Sequence, residues 1–565
     1  MNTQPERRNI TGLQWALLGL VLLTSIVRGC ILFSTPLMPG MNGAYYLVQA
    51  RSLLSHGALG IPDLPLTFCL QAALARLVQW ASHWDLDSSI LFAVKLADSV
   101  FPAFVALPVF SLVQRWAKNA SAPGWIALVA AAVVALNAPV LSMVGDFEKN
   151  SLGLVWLAAL LFFIHRWLSD PRPRNAIGVI CFWGLVAVTH IAVFGASALF
   201  GGLAIGLYLV MHRTSAWRML WPLLIAALAV GAFAGGAVLW KFDARRIHRF
   251  AAAVTHPSDY LTGNNMQTPG MSGRAPDGRM QGPPGGGPGF SPFQNRLPSL
   301  LFAVAAVAGL GTCWRRRRSL PSADICVVGA CAVGVLVLTG PWVQGDKTMR
   351  FNLIAIEPAV LCVAFASLYV TRTGVRAAFW VLAALGLVGP SFSLVRQGGR
   401  PIVSEEAVRE LRSLKPLIVN PEKTLIAARH GLEWWTAWTL HTHIAQSSGL
   451  RTADWQTFDS VFFLQSKQGG FPMMGVGPRK TGVLSLLDGL FRPGPPPSAG
   501  GMPPPPHFSN AGTPGGGGGP RQGGGPMSDP EVPSDSANIH DGGVFSLFLV
   551  TAPPGFVAEQ IDSKK

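Results

Sequence analysis

Long apolar runs recur along this chain, and short polar or basic stretches separate them. A helix needs roughly 20 apolar residues to cross the hydrocarbon core of a bilayer. We therefore predict an α-helical polytopic membrane protein with about 11 transmembrane helices. The predicted spans are residues 11–33, 100–116, 124–144, 151–167, 177–189, 191–211, 219–240, 297–314, 323–342, 351–370 and 377–392.

Basic residues occupy alternate loops between these spans, starting with Arg7 and Arg8. Short loops rich in Lys and Arg stay on the cytoplasmic side. Residues 1–10 are therefore predicted to be cytoplasmic, and the region after the last span is predicted to lie outside. The expected location is the inner (plasma) membrane, with the lipid bilayer as the surrounding solvent.

The membrane domain is predicted to cover residues 11–395, with outer loops at 34–98 and 241–296. Helical spacing of apolar residues at 45–54 and 66–80 predicts helices on the membrane surface. The second loop begins as a basic helix and continues into a Gly/Pro-rich stretch at 262–294, which we expect to be mobile.

Residues 396–565 are predicted to form a small extracytoplasmic α/β region. A Gly/Pro-rich insert at 469–541 interrupts this region and has too few apolar residues to pack alone. The predicted elements are a helix at 404–414, a strand at 424–428, an aromatic helix or turn at 434–443 and a closing strand at 544–551.

Composition supports the membrane assignment, because 50% of residues are hydrophobic and only 13% are charged. A soluble globule of this size needs more polar surface. The net charge of +16 does not indicate nucleic-acid binding, since the densest basic run, residues 315–318, adjoins a membrane helix and fits the inside-positive rule. Of the 7 cysteines, nearly all lie in or beside predicted spans, which argues against a disulfide scaffold or a thiolate metal cluster.

An acidic turn joins the third and fourth predicted spans at residues 145–150. Asp146 and Glu148 lie two positions apart there, so their carboxylates could share a divalent cation or a catalytic proton. Mg²⁺ and Mn²⁺ prefer such oxygen ligands. The alternative is a polar hairpin with no function beyond connecting two helices.

A second polar run precedes the span at 351–370 and contains Lys347 and Arg350. A guanidinium at a membrane surface can hold a phosphate bidentately, although interfacial snorkelling also explains Arg350. Glu357 shares a helix face with Arg350, and an acid near the membrane needs a polar cavity or a partner. His190, between two short apolar stretches, is either structural or functional.

Paired tryptophans, Trp434 and Trp435, lie among charged residues in the C-terminal region. Their faces could stack on a sugar or peptide ligand. They could equally anchor the region to the bilayer surface.

Taken together, the segment 41–54, the motif Gly145-Asp146-Phe147-Glu148 and the late Arg350 resemble the GT-C class of membrane glycosyltransferases. The catalytic subunit of oligosaccharyltransferase is a more distant resemblance. In that class, the segment after the first helix usually holds a catalytic acid, and Asn42 occupies the corresponding place here. The resemblance implies that Arg350 contacts a lipid phosphate and that Asp63 could supply the base instead.

The leading hypothesis is a transferase that moves a sugar from a polyprenyl-phosphate or pyrophosphate donor to an extracytoplasmic glycan, lipid or protein. Asp146 and Glu148 would be acid/base residues or ligands of Mg²⁺ or Mn²⁺, and Asp63 would assist. Alternatives are a transporter or flippase that uses Lys95, Asp98, Arg350 and Glu357, and a non-catalytic member of an envelope assembly. The candidate substrate contacts are Arg350, Lys347, Arg245, Arg246, Tyr46, His190, Glu357, Trp434 and Trp435.

Overall fold

The structure is a computed structural model that describes residues 12–212, 296–343, 346–446, 450, 454–467, 529–530 and 532–551. The predicted span at 219–240, Arg245, Arg246 and the stretch at 262–294 lie outside the described residues. The chain divides into two compact units. The helical unit comprises Met1–Gly40 and Gln49–Arg400, and the sheet unit comprises Met41–Val48 and Pro401–Lys565.

The described part of the helical unit consists of α-helices, and residues 213–295 and 344–345 of this unit lie outside the described residues. A 3₁₀ turn, Phe101–Val105, joins α4 to α5, and the start of α2 belongs to the sheet unit. The helices are α1 (Gly12–Leu32), α2 (Gly43–His56), α3 (Leu66–Ser82), α4 (Leu86–Val100), α5 (Ala106–Asn119), α6 (Trp125–Leu136), α7 (Ala138–Leu141), α8 (Glu148–Ser169), α9 (Pro173–Ala187), α10 (Ile191–Met211), α11 (Arg296–Arg316), α12 (Ser322–Thr339), α13 (Asp346–Leu368), α14 (Thr373–Leu387) and α15 (Gly389–Gln397).

Among the described residues, 7 helical segments are long and apolar enough to cross a membrane, which confirms the prediction of an α-helical polytopic membrane protein. Two further apolar helices, Trp125–Leu141 and Pro173–Ala187, are shorter. The long segments are Gly12–Leu32, Leu86–Asn119, Glu148–Ser169, Ile191–Met211, Ser322–Thr339, Lys347–Leu368 and Thr373–Gln397.

One candidate membrane-spanning segment, Leu86–Asn119, includes residues 86–98, which the sequence analysis placed in the outer loop 34–98. The bounds of that loop stay a prediction. Two charged residues of this segment, Lys95 and Asp98, are buried in the structure. The ammonium group of Lys95 donates to the carbonyl of Thr35 at 2.6 Å, and Asp98 pairs with an arginine of α1. These contacts offset part of the cost of burying the two charged side chains.

The sheet unit contains a five-stranded sheet in the order β2-β1-β3-β5-β4. Strand β1 runs parallel to β2 and β3, whereas β5 pairs antiparallel with β3 and β4. The elements are α16 (Glu405–Ser413), β1 (Thr424–Ala428), α17 (Leu432–Leu440), β2 (His443–Gln446), α18 (Asp454–Thr457), β3 (Ser460–Ser466), β4 (Ala537–Asp541) and β5 (Phe545–Leu549).

Every element that the sequence predicted in the C-terminal region has a counterpart, and this confirms its α/β character. The predicted helix, strand, aromatic helix and closing strand correspond to α16, β1, α17 and β5. Strands β2 and β3 were not predicted. Strand β4 lies inside the predicted insert 469–541, whose last residues therefore belong to the sheet; most of that insert lies outside the described residues.

Glu410 of α16 holds the start of β5. Its two carboxylate oxygens accept from the backbone N–H groups of Val544 at 2.8 Å and Phe545 at 2.7 Å. Both of these residues are buried. The side chain thus satisfies two donors that the sheet does not reach at this point.

We expect the Glu410→Ala variant to lose about 2 kcal/mol of local stability, because two buried amides lose their acceptor. Hydrogen exchange of the full chain, followed on peptides that cover 544–549, should become faster. The matched control is Glu406→Ala, which changes an exposed glutamate of the same helix. Wild-type exchange in the Glu410→Ala variant would contradict the assigned role.

Candidate active site

Two glycines allow the acidic turn of the helical unit to pack closely against the segment that contains Pro39 and Gly40. Gly40 and Gly145 have φ angles of 86° and 78°, in the left-handed region. A Cβ on Gly40 would lie 2.8 Å from the Cβ of Asp146, and a Cβ on Gly145 would lie 2.7 Å from Cγ of Pro39. The two backbones can approach this closely because neither residue has a side chain.

We expect Gly145→Ala to destabilise the protein by about 2 kcal/mol, since alanine is strained at this φ and its methyl group meets Pro39. Thermal unfolding of the purified chain in detergent measures the effect. Gly202→Ala is the matched control, because a Cβ at that helical position meets nothing within 4 Å. Equal melting temperatures for the two variants would show that the turn tolerates a side chain.

A buried ion pair lies behind this turn. The Nη2 atom of Arg28 in α1 lies 2.5 Å from Oδ1 of Asp98 in α4, and both side chains are 0% exposed. The Nε–H group of Arg28 also donates to the backbone carbonyl of Asp98 at 2.7 Å. The second carboxylate oxygen of Asp98 accepts from the N–H of Gly145 at 2.8 Å. The pair therefore fixes the backbone that carries Asp146.

Sequence reasoning missed the pairing of Arg28 with Asp98. A signal was present, because an arginine inside a predicted membrane span needs a buried partner. The partner could not be identified, since Asp98 is 70 positions away in the sequence. Asp98 was considered only as part of a transport route.

Glu148 is the first residue of α8 and is 2% exposed. One of its carboxylate oxygens accepts from the side-chain amide of Gln71 in α3. The other oxygen, Oε1, is buried and has no hydrogen-bond partner among the described residues. Asp98, Arg28 and Asp146 are close enough to interact with Glu148 electrostatically.

A small cavity opens beside the Glu148 carboxylate. Apolar side chains form most of its wall, and polar groups gather at one end. The lining residues are Thr67, Leu70, Gln71, Ala97, Asp98, Phe101, Pro102, Glu148 and Leu152. Gln71 is a site residue that the sequence did not indicate, because a glutamine on an amphipathic helix is ordinarily a solvated position.

Asp63 also lies at the acidic turn. Its carboxylate forms a salt bridge with Lys149, the residue after Glu148, and its other oxygen accepts from the N–H of Leu64 at 2.7 Å. The structure thus brings Asp63 together with the turn that carries Asp146 and Glu148. In Asp63, unlike Glu148, both carboxylate oxygens accept hydrogen bonds.

The turn does not supply a complete set of metal ligands from the described residues. No group of three or more His, Cys, Asp or Glu side chains with metal-binding geometry occurs among them. The nearby Asp98 carboxylate accepts hydrogen bonds from Arg28 and Gly145. The involvement of Asp146 and Glu148 with Mg²⁺ or Mn²⁺ stays a prediction.

The candidate residues of α13 lie in different environments. Lys347 is buried in the first turn, and Arg350 is exposed in the same turn. Glu357 lies further along the helix, is 1% exposed and lines a cavity different from that of Glu148. The contact of Arg350 with a phosphate stays a prediction.

His190 has an identifiable structural role. It is the N-cap of α10, and its side chain accepts from the N–H of Val193 at 3.4 Å. A capping side chain satisfies a helix donor that would otherwise lie unpaired near the membrane. This explains why a histidine separates two short apolar stretches.

The remaining candidates belong to the sheet unit. The carbonyl of Asn42 accepts from the N–H of Tyr45 at 3.0 Å at the start of α2, and Tyr46 is buried. The ring of Tyr45 contacts Trp434 edge-on, with centroids 4.8 Å apart. Trp435 is 1% exposed. Its ring is therefore buried, and its role in an aromatic wall or a bilayer anchor stays a prediction.

No protein-family model matches this chain, and no curated protein matches it. Two solved structures are similar to it in fold. The structure of ArnT from Cupriavidus metallidurans bound to undecaprenyl phosphate is 12% identical, covers 78% of this chain and 86% of that chain, and gives a TM-score of 0.46. The structure of the same protein in the apo state is 12% identical, covers 80% and 94%, and gives a TM-score of 0.43. At this identity the likeness concerns the fold alone.

Proposed function

We propose that this protein is a GT-C-type glycosyltransferase that moves a sugar from a polyprenyl-phosphate or pyrophosphate donor to an extracytoplasmic acceptor. The observation that supports the proposal most directly is the environment of the Glu148 carboxylate. Its carboxylate is buried at the start of a membrane-spanning helix and faces a cavity, and one oxygen has no hydrogen-bond partner among the described residues. Such a carboxylate is suited to accept a proton from an acceptor hydroxyl or amine.

The hydrogen bonds around the turn favour Glu148 over Asp98 and Asp63 as the base. Asp98 accepts from Arg28 and Gly145, and Asp63 accepts from Lys149 and Leu64. A proton taken up by Asp98 or Asp63 would weaken its ion pair with Arg28 or Lys149. Glu148 is held by Gln71 through one oxygen, and we propose its other oxygen, Oε1, as the atom that takes the acceptor's proton.

The reaction needs one bond to form and one to break. The acceptor oxygen or nitrogen attacks the anomeric carbon of the sugar, its proton passes to Glu148, and the bond between that carbon and the donor phosphate oxygen breaks. The phosphate leaves with the bonding electron pair and needs positive charge nearby. Arg350 and Lys347, in the first turn of α13, are the proposed source of this charge.

A membrane-embedded donor suits this architecture. A polyprenyl tail can remain in the hydrocarbon beside the helical unit while its phosphate reaches polar groups near a membrane surface. The bilayer and the lipid-linked donor are thus the proposed partners. The acceptor class is a glycan, a lipid or a protein.

The test is transfer by the full chain in liposomes that contain a radiolabelled polyprenyl-phosphate sugar. We expect a new glycosidic product, and we expect Arg350→Ala to lower kcat/KM about 10- to 100-fold through lost stabilisation of the leaving phosphate. Arg372→Ala, at another exposed arginine, is the control.

Two outcomes would contradict this proposal. Undiminished transfer by Arg350→Ala would remove the assigned phosphate contact. Movement of the labelled lipid or sugar across sealed vesicles without a new glycosidic bond would indicate a transporter instead.

A further inference from the structure

A second cavity in the helical unit contains groups that the proposed transfer reaction does not use. Glu357 of α13 and Ser151 of α8 line it, together with apolar side chains such as Leu154 and Leu353. Pro102 lines this cavity and also the cavity beside Glu148. The two sites are therefore neighbours but have different polar groups.

The polar groups of this cavity are buried and have no hydrogen-bond partners among the described residues. Glu357 is 1% exposed, and neither of its carboxylate oxygens accepts a hydrogen bond there. The hydroxyl oxygen of Ser151, which is 2% exposed, is also without a partner. A carboxylate and a hydroxyl that share one cavity can bind one common ligand.

No basic side chain lines the cavity to balance an ionised Glu357. The helices that pack on α13 are α5, α6, α8, α11 and α12. Among their described titratable groups, the Cys331 thiol of α12 interacts with Glu357 electrostatically, and Glu148 of α8 lines the adjacent cavity. Neither Cys331 nor Glu148 is a cation, and the Lys and Arg side chains of these helices do not line the cavity. An ionised carboxylate would therefore lie without a counter-ion in apolar surroundings, which is strongly unfavourable.

The residue after Glu357 adds a further acceptor. Pro358 lies inside α13 and has no N–H group, so the carbonyl of Ile354 loses its usual helical donor. In membrane proteins such carbonyls are satisfied by neighbouring side chains or by water. The Glu357 carboxylate and the Ile354 carbonyl are thus hydrogen-bond acceptors on α13 without a helical donor. The cavity lined by Glu357 has room for about one water molecule.

We propose that Glu357 and Ser151 form a proton-binding site within the membrane-spanning helices, separate from the Glu148 site. A proton from water joins the Glu357 carboxylate and gives a neutral carboxylic acid, whose O–H can donate toward Ser151 through one water in the shared cavity. Release of the proton to water reverses this step. The site holds one exchangeable proton and does not depend on the proposed transfer reaction.

The test uses the full chain in liposomes and dicyclohexylcarbodiimide, a hydrophobic reagent that reacts with protonated carboxyl groups. The acid adds across a C=N bond of the reagent and rearranges to a stable N-acylurea, which mass spectrometry locates. We expect Glu357 to be labelled, more at low pH than at high pH, and equally with or without Na⁺. Glu148→Gln should keep this label, whereas Glu357→Gln should lose it.

Several results would overturn this inference. Absence of label on Glu357 at every pH would show that the side chain does not hold a proton in an apolar site. Protection by Na⁺ would mean that a metal cation occupies the same oxygens. Infrared spectroscopy gives a second readout, because the carbonyl band of a protonated acid should disappear in Glu357→Gln and shift in Ser151→Ala. An unshifted band in Ser151→Ala would remove Ser151 from the site.

Discussion

The Glu148→Gln variant should insert and fold normally but lose sugar transfer by about 10²- to 10⁴-fold, the usual contribution of a general base. Glutamine has the size of glutamate and can keep a hydrogen bond with Gln71, but its amide cannot take the acceptor's proton. The loss should appear in kcat, measured in liposomes with saturating donor. Glu406→Gln, at an exposed glutamate of α16, is the control for a simple change of charge.

The comparison with Asp63→Asn makes this prediction specific. Asp63 binds Lys149 and the N–H of Leu64, so its replacement should disturb the turn and lower transfer less than Glu148→Gln does. If Asp63→Asn had the larger effect on kcat at equal thermal stability, Asp63 would be the base. Full activity of Glu148→Gln would refute the proposed mechanism outright.

The membrane helices could be predicted from sequence because each depends on a local property, a run of apolar residues. The same holds for α16, whose apolar residues Ala407, Val408 and Leu411 repeat at helical spacing. Strand β2 has only 4 residues, and its identity depends on parallel pairing with β1. No local pattern specifies such a partner.

In the candidate site, too, features set by local sequence could be predicted, whereas contacts with distant residues could not. Asp146 and Glu148 were identifiable because two acids occupy one short turn between apolar runs. The hydrogen bond that orients Glu148 comes from Gln71 of α3, which lies 77 positions away in the sequence. The proposed preference for Glu148 over Asp63 depends on their hydrogen-bond partners, and the sequence does not specify these.

The ion pair behind the turn should be the largest single contribution to the stability of this site. Arg28→Met removes the cation and leaves Asp98 charged and buried near Glu148, so we expect a loss of about 3–5 kcal/mol. Thermal unfolding of the purified full chain in detergent measures it. Transfer should also fall, because Asp98 would no longer hold the N–H of Gly145 in a fixed position.

The double variant Arg28→Met/Asp98→Asn tests whether charge is the cause. Asparagine can still accept from Gly145 but leaves no unpaired charge, so the double variant should be more stable than Arg28→Met alone. A double-mutant cycle completed with Asp98→Asn gives the coupling energy between the two side chains. Additive losses would mean that Arg28 and Asp98 act independently, and the pair could then not be what holds the acidic turn in place.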